Sequence, residues 1–238
     1  SRFADRIITN SKAALDEYRE NGYPAEKLSH VPNAIDVNRF RPQPNERATA
    51  RKELGIDLEA PLIGIFARIH PMKDHGTFLD AARLLLDEVP SAKFVCAGEV
   101  SEGFGEHNSK VRARAKKLNL DNAVRWLGLR TDPERLMAAC DLTTLTSNSG
   151  EGFPNSVAES LACGTPCVPT DVGDAYLIVE GFVQPIPKYD SKALASEWQS
   201  QITTLDLSVD LGEKLRRTIV ERYSPENIAK TTLRLLQR

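Results

Sequence analysis

Short apolar runs alternate with helical stretches along most of the chain, and this alternation restricts the fold more than any other feature. The β-type runs are predicted at Asp5–Thr9, Leu28–Val31, Leu62–Ala67, Lys93–Ala97, Val124–Leu127, Leu142–Thr146 and Cys167–Pro169. Between them the pattern predicts helices at Ser11–Glu20, Glu46–Leu54, Thr77–Val89, Lys110–Leu118, Pro133–Ala139 and Asn155–Cys163. Strands alternating with helices of this length build βαβ units around a parallel sheet. Leu62–Ala67 and Lys93–Ala97 are almost wholly apolar, as strands are when helices cover both faces. The expected fold is α/β, a doubly wound parallel sheet.

The organisation follows from composition shifts. Asn33–Arg47 carries Pro42 and Pro44 among polar residues and reads as a linker. Residues 1–40 then form the tail of one unit, 41–222 a complete doubly wound domain and 223–238 a terminal helix. That helix has Ser224 at its N-cap and Pro225 at N1, followed by Ile228, Leu233 and Leu236. The chain opens on Ser1 and enters an apolar run at once, so a piece of a longer protein is expected.

Charge and cysteine content exclude several classes. With 238 residues, 41% hydrophobic and 27% charged, the chain can bury a sizeable core. Lys and Arg number 31 against 33 Asp and Glu, a balance that argues against a nucleic-acid partner. No apolar run approaches the ~20 residues a membrane span needs, and no secretory signal pattern is present. Cys96, Cys140, Cys163 and Cys167 form no CxxC pair and have no histidine nearby. They read as small buried hydrophobes in a reducing, cytoplasmic setting, and no metal site is expected. Lys110–Lys117 holds five basic residues in eight. Val111, Ala115 and Leu118 give it a buried stripe, so it reads as a solvated helix face, with a phosphate or peripheral membrane contact as the alternative.

The segment Ser147–Gly164, S-N-S-G-E-G-F-P-N-S-V-A-E-S-L-A-C-G, carries the most chemistry. It follows a strand, and ligands of open α/β sheets bind at strand carboxyl ends. Gly150 and Gly152 are expected to let the backbone approach a ligand. Pro154 suits the first helical position, leaving the N–H groups of Asn155 and Ser156 at a positive helix end suited to anions. Val157, Ala158, Leu161 and Ala162 form a buried stripe, and Gly164 ends the helix. Glu151 lies in the loop, and Glu159 shares a helix face with Asn155 and leans toward the same mouth. Carboxylates accept hydrogen bonds from vicinal diols, which favours a sugar or ribose there.

Two further segments point to the same sheet edge. In I-F-A-R-I-H-P-M-K-D-H, Arg68 and Lys73 bracket a loop where two cations would neutralise a diphosphate. His70 and His75 read as loop residues and not as metal ligands. In W-L-G-L-R-T-D, Gly128 ends a strand and Leu129 and Arg130 open a loop against which a nucleobase would lie. GxGxxG, GxxxxGK[ST] and GxSxG are absent, which counts against a standard dinucleotide site, a P-loop and an α/β-hydrolase.

Together these residues resemble the large retaining GT-B glycosyltransferase family often called family 4, or glycosyl transferases group 1. The resemblance lies in E-G-F-P-N-S-V-A-E with its two glutamates, in Arg68 with Lys73, in C-G-T-P-C-V, and in D-V-G-D at 171–174. T-N-S at 9–11 and V-P-N-A-I-D at 31–36 resemble the family's interdomain crossing. The resemblance implies a Rossmann-like carboxyl-terminal half that binds a nucleotide-diphosphate sugar and, with an amino-terminal acceptor domain, transfers a hexosyl group with retention. It implies that Arg68 and Lys73 hold the diphosphate and stabilise the charge of the departing group. Glu151 would bond the donor sugar, and the backbone of Gly152, Phe153, Pro154, Asn155 and Ser156 would meet sugar and phosphate. Glu159 would bond the ribose, and Leu129 and Arg130 would flank the base. Arg68, Lys73 and Glu151 are the expected catalytic set. No cofactor or metal is implied, and the nucleotide-sugar is a substrate. The resemblance implies a sugar, lipid-linked or other acceptor engaged through the amino-terminal domain, and a setting in the cytoplasm or at its membrane face. D-V-G-D-A-Y-L-I-V-E runs straight into G-F-V-Q-P, shorter than the family's usual loop. The alternatives are a non-catalytic nucleotide-sugar-binding module and a GT-B-like sugar-nucleotide epimerase.

Overall fold

The computed structural model describes residues 4–204 and 209–237. The chain begins with a small parallel sheet of two strands, β1 (Ile7–Thr9) and β2 (Leu28–His30), joined by α1 (Lys12–Glu20). Ser11 is the N-cap of α1, and its hydroxyl accepts from Ala14 N–H at 3.1 Å. After α2 (Pro44–Glu53) comes β3 (Leu62–Phe66), then α3 (His75–Glu88), β4 (Lys93–Ala97), α4 (Gly105–Lys117), β5 (Val124–Gly128), α5 (Pro133–Ala139) and β6 (Leu142–Leu145). The remainder is α6 (Asn155–Ala162), β7 (Cys167–Pro169), α7 (Ala175–Ile178), α8 (Ser191–Thr204), α9 (Val209–Tyr223) and α10 (Pro225–Leu236).

The five later strands form one parallel sheet in the order β5-β4-β3-β6-β7. The chain builds outward from β3 through β4 to β5, then returns to place β6 on the other side of β3. That reversal is a topological switch point, where the loops leaving β3 and β6 diverge and open a crevice. The interior strands are buried along nearly their whole length: Leu62, Ile63 and Ile65 in β3, Phe94 and Val95 in β4. Phe78 of α3, Phe94 of β4 and Trp198 of α8 meet edge-on or tilted at centroid distances of 5.5–6.0 Å. Burying each such ring contributes about 1.5–3 kcal/mol.

All seven predicted strands are present, with ends shifted by one or two residues. The helices α7, α8 and α9 have no counterpart in the sequence prediction. α8 buries only Leu194, Ala195 and Trp198, and α9 meets the core through Leu215, Ile219 and Tyr223, stripes too narrow to stand out in a mixed sequence. The predicted linker Asn33–Arg47 is not one. Ile35, Val37 and Phe40 are buried in the main core, and the Arg216 guanidinium donates to the carbonyls of Val37 and Phe40 at 2.9 Å. Pro44 opens α2, and Arg47 reaches Asp141.

Arg51 of α2 is fully buried. It donates to the carbonyls of Asp57, Leu58, Ala60 and Ala139 and pairs with Asp141 at 2.6 Å. In α10 the terminal helix lies where predicted, with Pro225 at N1, but the Ser224 hydroxyl makes no capping bond. Leu233 and Leu236 are 57% and 66% exposed, while Ile228 packs against the core. Residues 1–3, 205–208 and Arg238, the last of which was predicted as helix, lie outside the described residues. On α4, Val111 and Ala115 are buried and Leu118 packs on the core, so its basic face is the outer one. Glu180 and Gly181 form a short turn in which Phe182 N–H bonds Val179 at 3.0 Å. Among the described residues no helix is long and apolar enough to cross a membrane.

Candidate functional site

The connection leaving β3 is held rigidly. Ile69 N–H donates to Glu99 at 2.8 Å, fixing the segment after Arg68 along the end of β4. Pro71–Lys73 then makes a 3₁₀ turn in which His70 Nδ1 accepts from Met72 N–H at 3.1 Å. Asp74 follows in the left-handed region at φ +41°, and its carboxylate caps α3 through the N–H and hydroxyl of Thr77. Asp and Asn are the side chains that tolerate this conformation best.

The connection leaving β6 is fastened to that turn. Thr146 Oγ1 donates to the Lys73 carbonyl at 2.8 Å, and Asn148 N–H donates to that of Met72 at 2.8 Å. The Lys73 ammonium forms an ion pair with the Glu151 carboxylate, and Ser147 Oγ donates to the same Glu151 oxygen at 2.6 Å. The loop then enters α6. Pro154 occupies the N-cap position and not N1 as the sequence suggested, so α6 starts at Asn155. The first N–H groups of such a helix have no intrahelical acceptor, and the helix end is positive.

One turn into α6, Glu159 lines a cleft of about 220 Å³ together with Arg68, Leu129, Arg130, Gly98 and Pro133. Burial pushes the Glu159 carboxyl up to about 7. Arg39 opposes that rise and Glu134 adds to it. At neutral pH this group both donates and accepts hydrogen bonds, which suits a vicinal diol. Leu129 is 70% exposed and presents an apolar surface at the cleft. Arg130 is held by Asp132 in a two-bond pair at 2.8 Å, which fixes its plane. The cleft thus collects side chains from the ends of β3 and β5 and from α6.

The sequence-predicted residues therefore fall into two adjoining groups. Arg68, Leu129, Arg130 and Glu159 share the cleft, and Lys73 and Glu151 pair at the β3–β6 crossing. Asn155 and Ser156 stand at the start of α6 with their side chains at least partly exposed. Phe153 and Pro154 differ: both are buried, and the Phe153 ring packs on Tyr223 at 5.0 Å. Gly150 and Gly152 are also crowded by the protein's own side chains. A Cβ on Gly150 would lie 1.9 Å from Met72 Cε, and one on Gly152 would lie 2.9 Å from Asn10 Oδ1. His75 is not a loop residue but the first residue of α3. It is buried, with its pKa lowered by desolvation to about 4. The four cysteines are buried thiols, and burial pushes Cys140 and Cys167 up to about 12 and Cys96 and Cys163 higher still.

Several participants escaped the sequence reading. Thr146 and Ser147 are buried small polar residues directly after an apolar strand, a signal that they serve the strand's carboxyl end. Gly98 packs so closely that a Cβ would lie 2.0 Å from the Ala67 carbonyl oxygen. It directly follows β4, and a glycine there is the sign of a close backbone approach. Two larger cavities, about 420 and 310 Å³, lie near the amino ends of β6 and β7, away from every residue named for the site. They adjoin Arg47 and Asp141, which are engaged within the protein: Asp141 pairs with both Arg47 and Arg51, and Arg47 also donates to the carbonyls of Ala139 and Cys140.

An open parallel sheet with a cation- and glutamate-lined cleft at its switch point has the architecture of GT-B glycosyltransferase structures, and the chain corresponds to a carboxyl-terminal-like half of that fold. Residues 46–218 match the family model "Glycosyl transferases group 1", and the chain belongs to that family. The crystal structure of Anabaena HepE in complex with UDP and glucose is similar with a TM-score of 0.90 at 26% identity, covering 99% of this chain and 64% of that one. A D-inositol 3-phosphate glycosyltransferase from Corynebacterium jeikeium is 31% identical over 239 residues, 95% of this chain and 54% of its own length. A lipopolysaccharide core biosynthesis mannosyltransferase, LpsB, from Rhizobium meliloti is 31% identical over 156 residues, 63% of this chain and 44% of its own length. The chain thus spans about half the length of the curated relatives it matches.

Proposed function

We propose that this chain binds the nucleotide-diphosphate sugar donor of a retaining, family 4 glycosyltransferase and, with an amino-terminal acceptor-binding half, transfers the hexosyl group to a sugar, lipid-linked or other acceptor. The observation that carries the reading is the single cleft shared by Arg68, Leu129, Arg130 and Glu159 beside the α6 N-terminus. In this reading the ribose diol bonds Glu159, the base lies along Leu129 and Arg130, and the diphosphate lies toward Arg68, Lys73 and the free N–H groups of α6. The sugar then folds back over the phosphates toward Glu151 and the Gly152 backbone. Arg68 and Lys73 stabilise the negative charge that grows on the departing diphosphate. The cations and the helix end take the part a metal ion plays elsewhere, so the reading requires no cofactor. Retention follows from attack on the face the diphosphate leaves, which assigns no carboxylate nucleophile. The reading places the enzyme in the cytoplasm or at its membrane face.

UDP bound to the similar Anabaena structure and the transferase names of the relatives favour this reading over an epimerase or a non-catalytic module. A thermal-shift and calorimetry panel of UDP-, GDP- and ADP-sugars tests it. Saturable binding of one nucleotide series is the expected result, and silence across the whole panel overturns it. Assaying the full-length protein for sugar transfer against epimerisation separates the enzyme readings.

A further inference from the structure

Asp174 carries a buried carboxylate that the donor reading leaves without a task. Its Oδ2 accepts from Lys12 N–H at 2.8 Å and its Oδ1 from Ala13 N–H at 3.1 Å, both at the start of α1. A carboxylate suits the positive end of a helix. Ser11 already caps α1 through Ala14, so Asp174 supplies acceptors for two further N–H groups of a helix that has its own local cap. The distinguishing feature of Asp174 is its backbone: its N–H donates to the Gly152 carbonyl at 2.9 Å. One residue therefore fastens the loop that carries Glu151 to the β1–α1–β2 unit.

The neighbours reinforce that fastening. Gly173 lies against the same loop at φ +54°, where a Cβ would come within 2.5 Å of the carbonyl oxygens of Glu151 and Gly152. On the opposite side, Asn10 and Ser11 crowd Gly152. Asn10 Nδ2 donates to Asn33 Oδ1 at 3.3 Å, and Asn33 Nδ2 donates to Asn155 Oδ1 at 2.8 Å, so the first residue of α6 is tied to the same unit. His30 Nε2 stands 3.6 Å from Asp174 Oδ2, and burial lowers its pKa below the ordinary histidine value. By contrast, among the described residues the cleft residues Arg68, Leu129, Arg130 and Glu159 make no hydrogen bond to α1 or to Asp174.

We infer that Asp174 is a positioning residue for the sugar end of the site. It holds the Glu151–Gly152 backbone in register with α1, and so governs affinity for the sugar portion of the donor and not for the nucleotide. The inference rests on the donor reading above. It is tested by calorimetry of the chain with UDP, GDP and ADP and with UDP-glucose, GDP-mannose and ADP-glucose. In Asp174→Asn one acceptor becomes an amide that faces an N–H of α1. The ratio of donor to free-diphosphate affinity is expected to fall at least tenfold while the diphosphate itself binds within about twofold of the unaltered chain.

Lys12→Pro is the second variant. It deletes one of the two N–H donors to Asp174 at N1, a position where proline is favoured and leaves the helix intact. It is expected to lower the same ratio about threefold, and it decides the matter if Asp174→Asn fails to fold. An unchanged ratio in Lys12→Pro, or equal loss of diphosphate and donor in either variant, overturns the inference. Failure of the unaltered chain to bind any of the six compounds overturns the donor reading itself.

Discussion

Lys73 and Glu151, 78 residues apart in sequence, form an ion pair across the carboxyl ends of β3 and β6. The cation proposed for the diphosphate is therefore engaged by the carboxylate proposed for the sugar. In the proposed reading Lys73 exchanges that partner for a phosphate oxygen when a donor binds, while Glu151 keeps its bond from Ser147.

Lys73→Ala and Arg68→Ala should each weaken a nucleoside diphosphate by ten- to hundred-fold, since a charge-assisted bond is worth about 1.5–3 kcal/mol. Glu151→Gln should behave in the opposite way toward free diphosphate. It releases Lys73, so affinity stays level or improves, while affinity for the intact donor falls. Calorimetry with both ligands reads this directly. A loss of free diphosphate in Glu151→Gln equal to that in Lys73→Ala contradicts the division of roles.

Glu159 makes stability depend on pH. Its folded-state pKa of about 7 lies above the ordinary 4.5, so the folded chain holds a proton that the unfolded chain releases. The stability that proton confers is complete below about 4.5 and is lost as pH rises through 7, by roughly 1–3 kcal/mol. Glu159→Gln should flatten that decline and leave the unliganded chain more stable at pH 8. The same change should weaken nucleoside diphosphate and donor alike, by about 1–3 kcal/mol for a lost buried partner. Urea titrations at pH 5 and pH 8 with and without nucleotide check both effects.

Gly98→Ala should reach the site through the backbone. The new methyl group meets the Ala67 carbonyl, which has no flexible side chain to yield, at a φ of +156°. Overpacking of this kind costs about 1–3 kcal/mol. The displaced strand end carries Arg68, so diphosphate affinity should fall together with the melting temperature.

Arg51→Ala provides the contrast. Removing a buried guanidinium leaves four carbonyls without their donor and takes from Asp141 one of its two arginine partners, and should destabilise by about 3–5 kcal/mol. Arg51 lies in α2 and lines no part of the donor cleft, so diphosphate affinity measured well below the melting temperature should not change.

The strands and the placement of the candidate site residues about them were legible because their signals are local. Leu62–Phe66 reads as a buried strand from apolar residues alone, and E-G-F-P-N-S-V-A-E places two carboxylates about a helix start by spacing alone. Features that depend on distant partners were not legible. Nothing near Asn33–Arg47 announces that Ile35 and Phe40 will be buried, because the elements that cover them lie far along the chain. The glycines at 150 and 152 read as room for a ligand, and nothing near them in sequence tells that the Met72 and Asn10 side chains also crowd them. Glu159 was identified by position, but its raised pKa depends on how deeply the folded cleft encloses it.

The placement of β6 beside β3 also determines when the site exists. Arg68 and Glu159 are separated by about ninety residues, a long loop whose closure carries an entropic cost. A nascent or truncated chain that ends before α6 has one wall of the cleft and nothing opposite it. A ligand seated there bridges both sides of the switch and couples to formation of the entire sheet. In the proposed reading, nucleotide binding would therefore raise the melting temperature of the domain as a unit, so that bound nucleotide would report complete folding and not local order.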